Sequence, residues 1–279
     1  MVSFAADFLA DWLDTGHGKD YAIMRNPDAG TMSRHYQFES NLSMTGANAD
    51  YRTPVKTSEI GVALLNLYNL IATKALATTV KVANTEYTTQ IQKAANDLWK
   101  SKGKSLVIAG GNDKNIHLVV NAINHLLSNN GSTIDFTKRS NLKQGVDADV
   151  TALISDMKAG KVGAVIAYNV NPVYNLAQGA EFASALTKVD LSVSFAEKKD
   201  ETAAVMNFVC PDHNYLESWG DANPYTGLNA LVQPTINPLF NTRQAQASLM
   251  TWTDLGADFY SYVKNYWNKN ILGSTSWNT

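Results

Sequence analysis

Ser105-Leu-Val-Ile-Ala-Gly-Gly111 is the stretch that decides the fold class. Four apolar residues in a row run into two glycines, and a helical pattern over residues 115–127 follows at once. A continuous apolar run of this length predicts a strand buried on both faces, and a helix joined to it by a glycine turn is half of a βαβ unit. Working outward, the same grammar recurs. Further strands are expected at 2–5, 162–168, 191–195 and 204–210, several of them continuously apolar, and an alternating strand at 35–39. Helices are expected from Ser58, as N-cap, to about 76, and over 85–100, 150–158, 177–187 and 258–267. Loops fill 14–34, the stretch closed by Pro54, 129–147 and 212–229, with an extended segment at 231–233. Strands alternating with helices predict an α/β fold of Rossmann-like parallel sheets with helices on both faces. Two lobes are expected, 1–103 and 104–279.

In such sheets ligands sit beyond the carboxyl ends of the strands. The turns of interest are therefore 5–8, 39–50, 109–115, 168–175 and 196–203. Gly110 and Gly111 let a backbone approach a phosphate, although plain turn geometry explains the pair equally well. Cys210-Pro-Asp-His213, with Glu217 nearby, offers half of a zinc site, and no second cysteine completes it. A Cys210–His213 nucleophile pair would also need an orienting group, which spacing does not supply. Tyr260, Tyr262, Tyr266 and Trp267 read as packing aromatics that await a neighbour.

Bulk composition narrows the classes further. The chain of 279 residues is 45% hydrophobic, 17% charged and has a net charge of −2. No basic run exists, which argues against nucleic acid as a partner. One cysteine allows neither an internal disulfide nor a four-cysteine iron–sulfur site within the chain. No apolar run has the length of a membrane span, so direct membrane insertion is not expected. A strand starting at residue 2 suggests a piece of a longer protein.

Taken in order, the segments resemble the molybdopterin oxidoreductase family, which includes formate dehydrogenases and nitrate reductases. Val2-Ser-Phe-Ala-Ala-Asp-Phe8 and Tyr168-Asn-Val-Asn-Pro172 resemble its Gly-x-Asn-Pro turns. Phe38-Glu-Ser-Asn41 with Thr45-Gly-Ala-Asn-Ala-Asp50 resembles its Asp-Pro-Arg region. Val107-Ile-Ala-Gly-Gly111, Glu201-Thr-Ala203, Val209-Cys-Pro211, Glu217-Ser-Trp-Gly220 and Gln233-Pro-Thr-Ile-Asn-Pro238 resemble later family stretches. Phrases such as Ser43-Met-Thr-Gly-Ala-Asn-Ala-Asp-Tyr-Arg52 and Asp212-His-Asn-Tyr-Leu-Glu-Ser-Trp-Gly-Asp221 are similar to the iron–sulfur subunit of bacterial alternative complex III, a quinol oxidoreductase.

The resemblance implies formate dehydrogenase-like domains and a cofactor-facing set: Ala5, Asp7, Glu39, Thr45, Gly110, Gly111, Asn169, Asn171, Glu201 and Thr202. It also implies decay of that set. Glu39-Ser-Asn41 lacks the family's arginine, Ile60 stands where a guanine-binding aspartate is expected, and Ala5 and Asn169 replace turn glycines. The implied role is a cofactor-free scaffold in a respiratory complex. Its partners would be the iron–sulfur region of the same subunit and further subunits on the periplasmic side of a bacterial membrane. The alternatives are an active molybdenum or tungsten enzyme holding molybdopterin guanine dinucleotide, and a nucleotide-binding module using Gly110 and Gly111.

Overall fold

The computed structural model describes residues 1–13, 16–30, 32–256, 258–273 and 275–277. The chain divides into two compact units, Met1–Arg139 and Ser140–Thr279.

The first unit contains, in chain order, β1 (Val2–Phe4), α1 (Gly16–Ile23), β2 (Tyr36–Glu39), α2 (Met44–Ala47), β3 (Tyr51–Pro54), α3 (Ile60–Lys74), α4 (Thr88–Lys100), β4 (Val107–Ala109) and α5 (Lys114–Leu126). Its four strands are all parallel, in the order β3-β2-β1-β4. Register sets the two faces. Val2 pairs with Tyr36 and Val107, and Phe4 with Phe38 and Ala109, so these side chains share one face. Phe4 and Phe38 stack there at 4.8 Å, and α3, α4 and α5 cover them with Leu64, Leu67, Ile91 and Ile123. The other face carries Ser3, Gln37 and Glu39, buried although polar, with His35 in line just before β2. Edge strand β4 is closed by a side chain: Asn124 of α5 accepts from Val107 N at 3.0 Å and donates to Val107 O at 2.7 Å.

The second unit contains α6 (Asp147–Lys158), β5 (Ala164–Ala167), α7 (Pro172–Asn175), α8 (Gly179–Leu186), β6 (Leu191–Ser194), β7 (Phe208–Val209), β8 (Gly220–Tyr225), β9 (Leu228–Val232), α9 (Ala245–Trp252) and α10 (Phe259–Asn270). Strands β5, β6 and β7 form a parallel sheet in that order, and β8 and β9 form a separate antiparallel hairpin. Ile154, Met157, Phe182, Ala185 and Leu186 pack on Val165 and Ala167 to make its core.

Several expectations change. The boundary falls after residue 139 rather than near 103, because β4 pairs with β1 and α5 packs on α3. Within 14–34, α1 replaces part of the expected loop, while residues 14, 15 and 31 lie outside the described set. Ser58 is no helix cap. It sits inside a 3-10 turn, Thr57–Glu59, that leads into α3. The strand expected over 204–210 is a 3-10 turn followed by the two-residue β7, and the loop expected over 212–229 holds β8 and the start of the hairpin. Two of the four α10 aromatics find a neighbour within the unit, Tyr260 on Trp219 at 4.8 Å and Trp267 on Trp277 at 6.1 Å, while Tyr262 and Tyr266 remain half exposed.

Candidate functional site

The expected site residues form two groups, one per unit, each beyond the carboxyl ends of parallel strands. In the first unit Ala5 follows β1 in a left-handed conformation, φ 53°. Two residues on, Asp7 Oδ1 accepts from Thr45 N at 2.9 Å and Thr45 Oγ1 at 2.7 Å, and Thr45 Oγ1 accepts from Leu9 N at 3.0 Å. In the second unit Asn169 follows β5, also left-handed, φ 52°. Two residues on, Asn171 Oδ1 accepts from Thr202 N at 3.2 Å and Thr202 Oγ1 at 2.7 Å, and Thr202 Oγ1 accepts from Val173 N at 3.0 Å. The two clasps match bond for bond. Each ties the turn after one strand to the segment after the neighbouring strand, and each opens on a residue whose conformation favours glycine. In sequence the shared signal is only an Asx residue, Asp7 or Asn171, followed by a distant threonine, Thr45 or Thr202; the left-handed turn before it is not visible there. Only the structure aligns them.

Glu39 ends β2. Its carboxylate accepts from Gln37 Nε2 at 3.0 Å, Ser43 N at 3.2 Å, Ser43 Oγ at 2.5 Å and Arg52 Nε at 2.6 Å. Its side chain is only 4% exposed. Burial pushes the carboxyl pKa up, but the bonds from Ser43, Arg52 and Gln37 outweigh that and hold it below the usual range. A methyl on Gly46 would overlap this carboxylate. Ser40 bonds Val55 O and Thr57 Oγ1, while Ile60 is buried in the apolar core.

Gly110 and Gly111 have structural explanations. A side chain on Gly110 would overlap the Ala5 carbonyl, and Gly110 N donates to Phe4 O at 2.8 Å. Gly111 is left-handed at φ 82°. Asp113 then caps α5 through Asn115 N, placing a carboxylate at that helix start. Glu201, near Asn171, accepts from Asn171 Nδ2 at 2.7 Å.

A cleft of about 740 Å³ opens beyond β5, β6 and β7 in the second unit. It brings Tyr168, Asn169 and Asn171 of the expected turn together with residues that the sequence did not mark for this purpose, among them Phe195, Trp219 and Gln244. Asp212 and His213, considered above for metal, line it as well. Burial raises the Asp212 carboxyl above its ordinary value, partly offset by bonds from Ala245 N and His213 N. His213 Nδ1 lies 2.6 Å from Thr242 Oγ1. Among the described residues no group of three or more His, Cys, Asp or Glu is arranged to hold a metal ion.

No family model matches the chain. Over 115 residues it is 35% identical to the menaquinone reductase, molybdopterin-binding-like subunit of Nitratidesulfovibrio vulgaris (strain Hildenborough), a stretch covering 39% of this chain and 17% of that protein. The structure is similar to acetylene hydratase from Pelobacter acetylenicus, with a TM-score of 0.60 at 13% identity over 91% of this chain and 47% of that one. At that identity the likeness is one of fold. The chain spans less than half the length of either. The partial identity and the shared fold agree with the motifs read from the sequence, and the fold is molybdopterin-oxidoreductase-like.

Proposed function

We propose that this chain is the molybdopterin-oxidoreductase-like part of a respiratory quinol oxidoreductase subunit, and that it serves as a scaffold without a pterin cofactor of its own. One observation carries the reading. Where the family resemblance leads one to expect an arginine-bearing turn gripping a nucleotide, Glu39 folds a carboxylate inward and satisfies it entirely from within the unit. The residues present do not fit a pyrophosphate-bearing dinucleotide. The guanidinium groups beside this turn, Arg52 and Arg25, are already engaged by Glu39 and Asp50, and the Ala5 carbonyl and the backbone of Gly110 close on each other. The start of α5 carries Asp113, which opposes a second negative charge.

The quinone reductase relative supports the respiratory context. In this reading the partners are the iron–sulfur region of the same subunit and other subunits of a membrane-bound complex on the periplasmic side. Among the described residues no helix is long and apolar enough to cross a membrane, and attachment runs through those partners.

The test is elemental analysis of the full-length protein purified from its native host, counting molybdenum and tungsten by mass spectrometry with iron as internal control. Iron without the other two is the expected result. About one molybdenum or tungsten per chain overturns the scaffold reading and makes the subunit an enzyme.

A further inference from the structure

We propose that the cleft of the second unit binds an organic cation, an ammonium or guanidinium group on a short aliphatic stem. This goes beyond the scaffold reading and does not depend on it.

The cleft lies beyond the carboxyl ends of a parallel sheet, where such folds place ligands, and its volume of about 740 Å³ is that of a small-molecule site. Its charge is one-sided. Glu197, Asp200, Asp212 and Asp221 face it against a single ammonium, Lys198. The hydrogen-bond partners of these carboxylates are neutral: Asn214 Nδ2 for Glu197, Ala203 N for Asp200, Ala245 N and His213 N for Asp212, and Trp267 Nε1 for Asp221. None of the four belongs to an ion pair among the described residues. A concave wall of this kind concentrates negative potential and draws in cations.

The remaining walls suit the same guest. Tyr168 is half exposed at the rim, with its ring edge-on to Phe195 at 6.4 Å, and Phe195 in turn stacks on Trp252 at 5.6 Å. Trp219 also lines the cleft. Aromatic faces attract ammonium and guanidinium groups and accept their aliphatic stems. A phosphate, by contrast, would meet four carboxylates and one lysine.

The experiment is calorimetric titration of the full chain at low salt with agmatine, with a short arginine-rich peptide, and with GDP and inorganic pyrophosphate. Saturable one-to-one agmatine binding is expected. Glu197→Gln is expected to weaken it about threefold and Lys198→Ala to tighten it by a similar factor, each acting on one solvent-accessible charge. Both side chains are exposed, so unchanged melting temperatures identify the effect as binding. Binding of the peptide but not of agmatine supports the same site with a protein side chain as its source of charge. Three results overturn the proposal: no saturable binding of either cation, preference for GDP or pyrophosphate, or cation binding indifferent to both substitutions.

Discussion

Lowering the pH should loosen the first unit through one residue, His35. Its side chain is fully buried between Tyr21 Oη, 3.0 Å from Nδ1, and Gln37 Oε1, 3.3 Å from Nε2. The same Tyr21 hydroxyl also donates to Asn48 O at 3.0 Å. Burial first, and then the positive amino terminus nearby, lower the His35 pKa from 6.5 to about 4. The unfolded chain therefore binds more protons than the folded one between about pH 4 and 6.5. The stabilisation is fully present above pH 6.5 and is lost as pH falls towards 4. At about 1.4 kcal/mol per pH unit, the drop from 6.5 to about 4 is worth roughly 3.5 kcal/mol. For a unit of this size that is about 10 °C in melting temperature. The Met1 amino group, lowered by burial to about 6, also titrates nearby. Comparison with His35→Gln cancels it, and the difference in slope should be about 1.4 kcal/mol per pH unit within the window. The direct assay is a proton NMR titration, tractable with only five histidines. A His35 ring titrating near 6.5, or a stability slope unchanged in His35→Gln, refutes the reasoning.

Further tests follow the same logic. Arg52→Ala leaves the Glu39 carboxylate buried with three of its four bonds, and should cost about 2–3 kcal/mol. Hydrogen exchange over 36–39 should accelerate to match, whereas unchanged exchange would mean that Ser43 and Gln37 suffice. Gly110→Ala forces a methyl into the Ala5 carbonyl and should lower the yield of folded chain or cost several kcal/mol, read by urea titration. Thr202→Val removes two bonds of the second clasp and orphans Val173 N. A loss of about 1–3 kcal/mol is expected, with the first unit's exchange rates unaltered.

The elements that sequence made legible are those whose burial is simple. β4 and β5 are apolar runs, and α3, α4 and α5 carry a clear apolar stripe. What escaped was local chemistry overridden by pairing. β3 ends in Pro54, which reads as a loop residue but sits at an edge strand where its missing N–H does no harm. Pro224 conceals β8 in the same way, and Gly227, which reads as a loop residue, is the left-handed turn of the hairpin. Helix α9 has no charged residue to mark its ends. At the candidate site, the individual residues were named from the resemblance, and their grouping by unit follows from the topology. The closure of Glu39 on Gly46 and the cleft beyond β7 depend on long-range packing, which no window of sequence contains.

The two clasps also bear on how the chain folds. Each is a long-range crosslink made of hydrogen bonds, closing 38 residues in the first unit and 31 in the second. Loop-closure entropy grows only with the logarithm of length, so the two closures differ by about 0.2 kcal/mol. Neither unit gains a head start from its clasp. Which of them forms first is left to the local helices, and the first unit, with three long helices on a four-stranded sheet, has more early structure for its closing turn to meet.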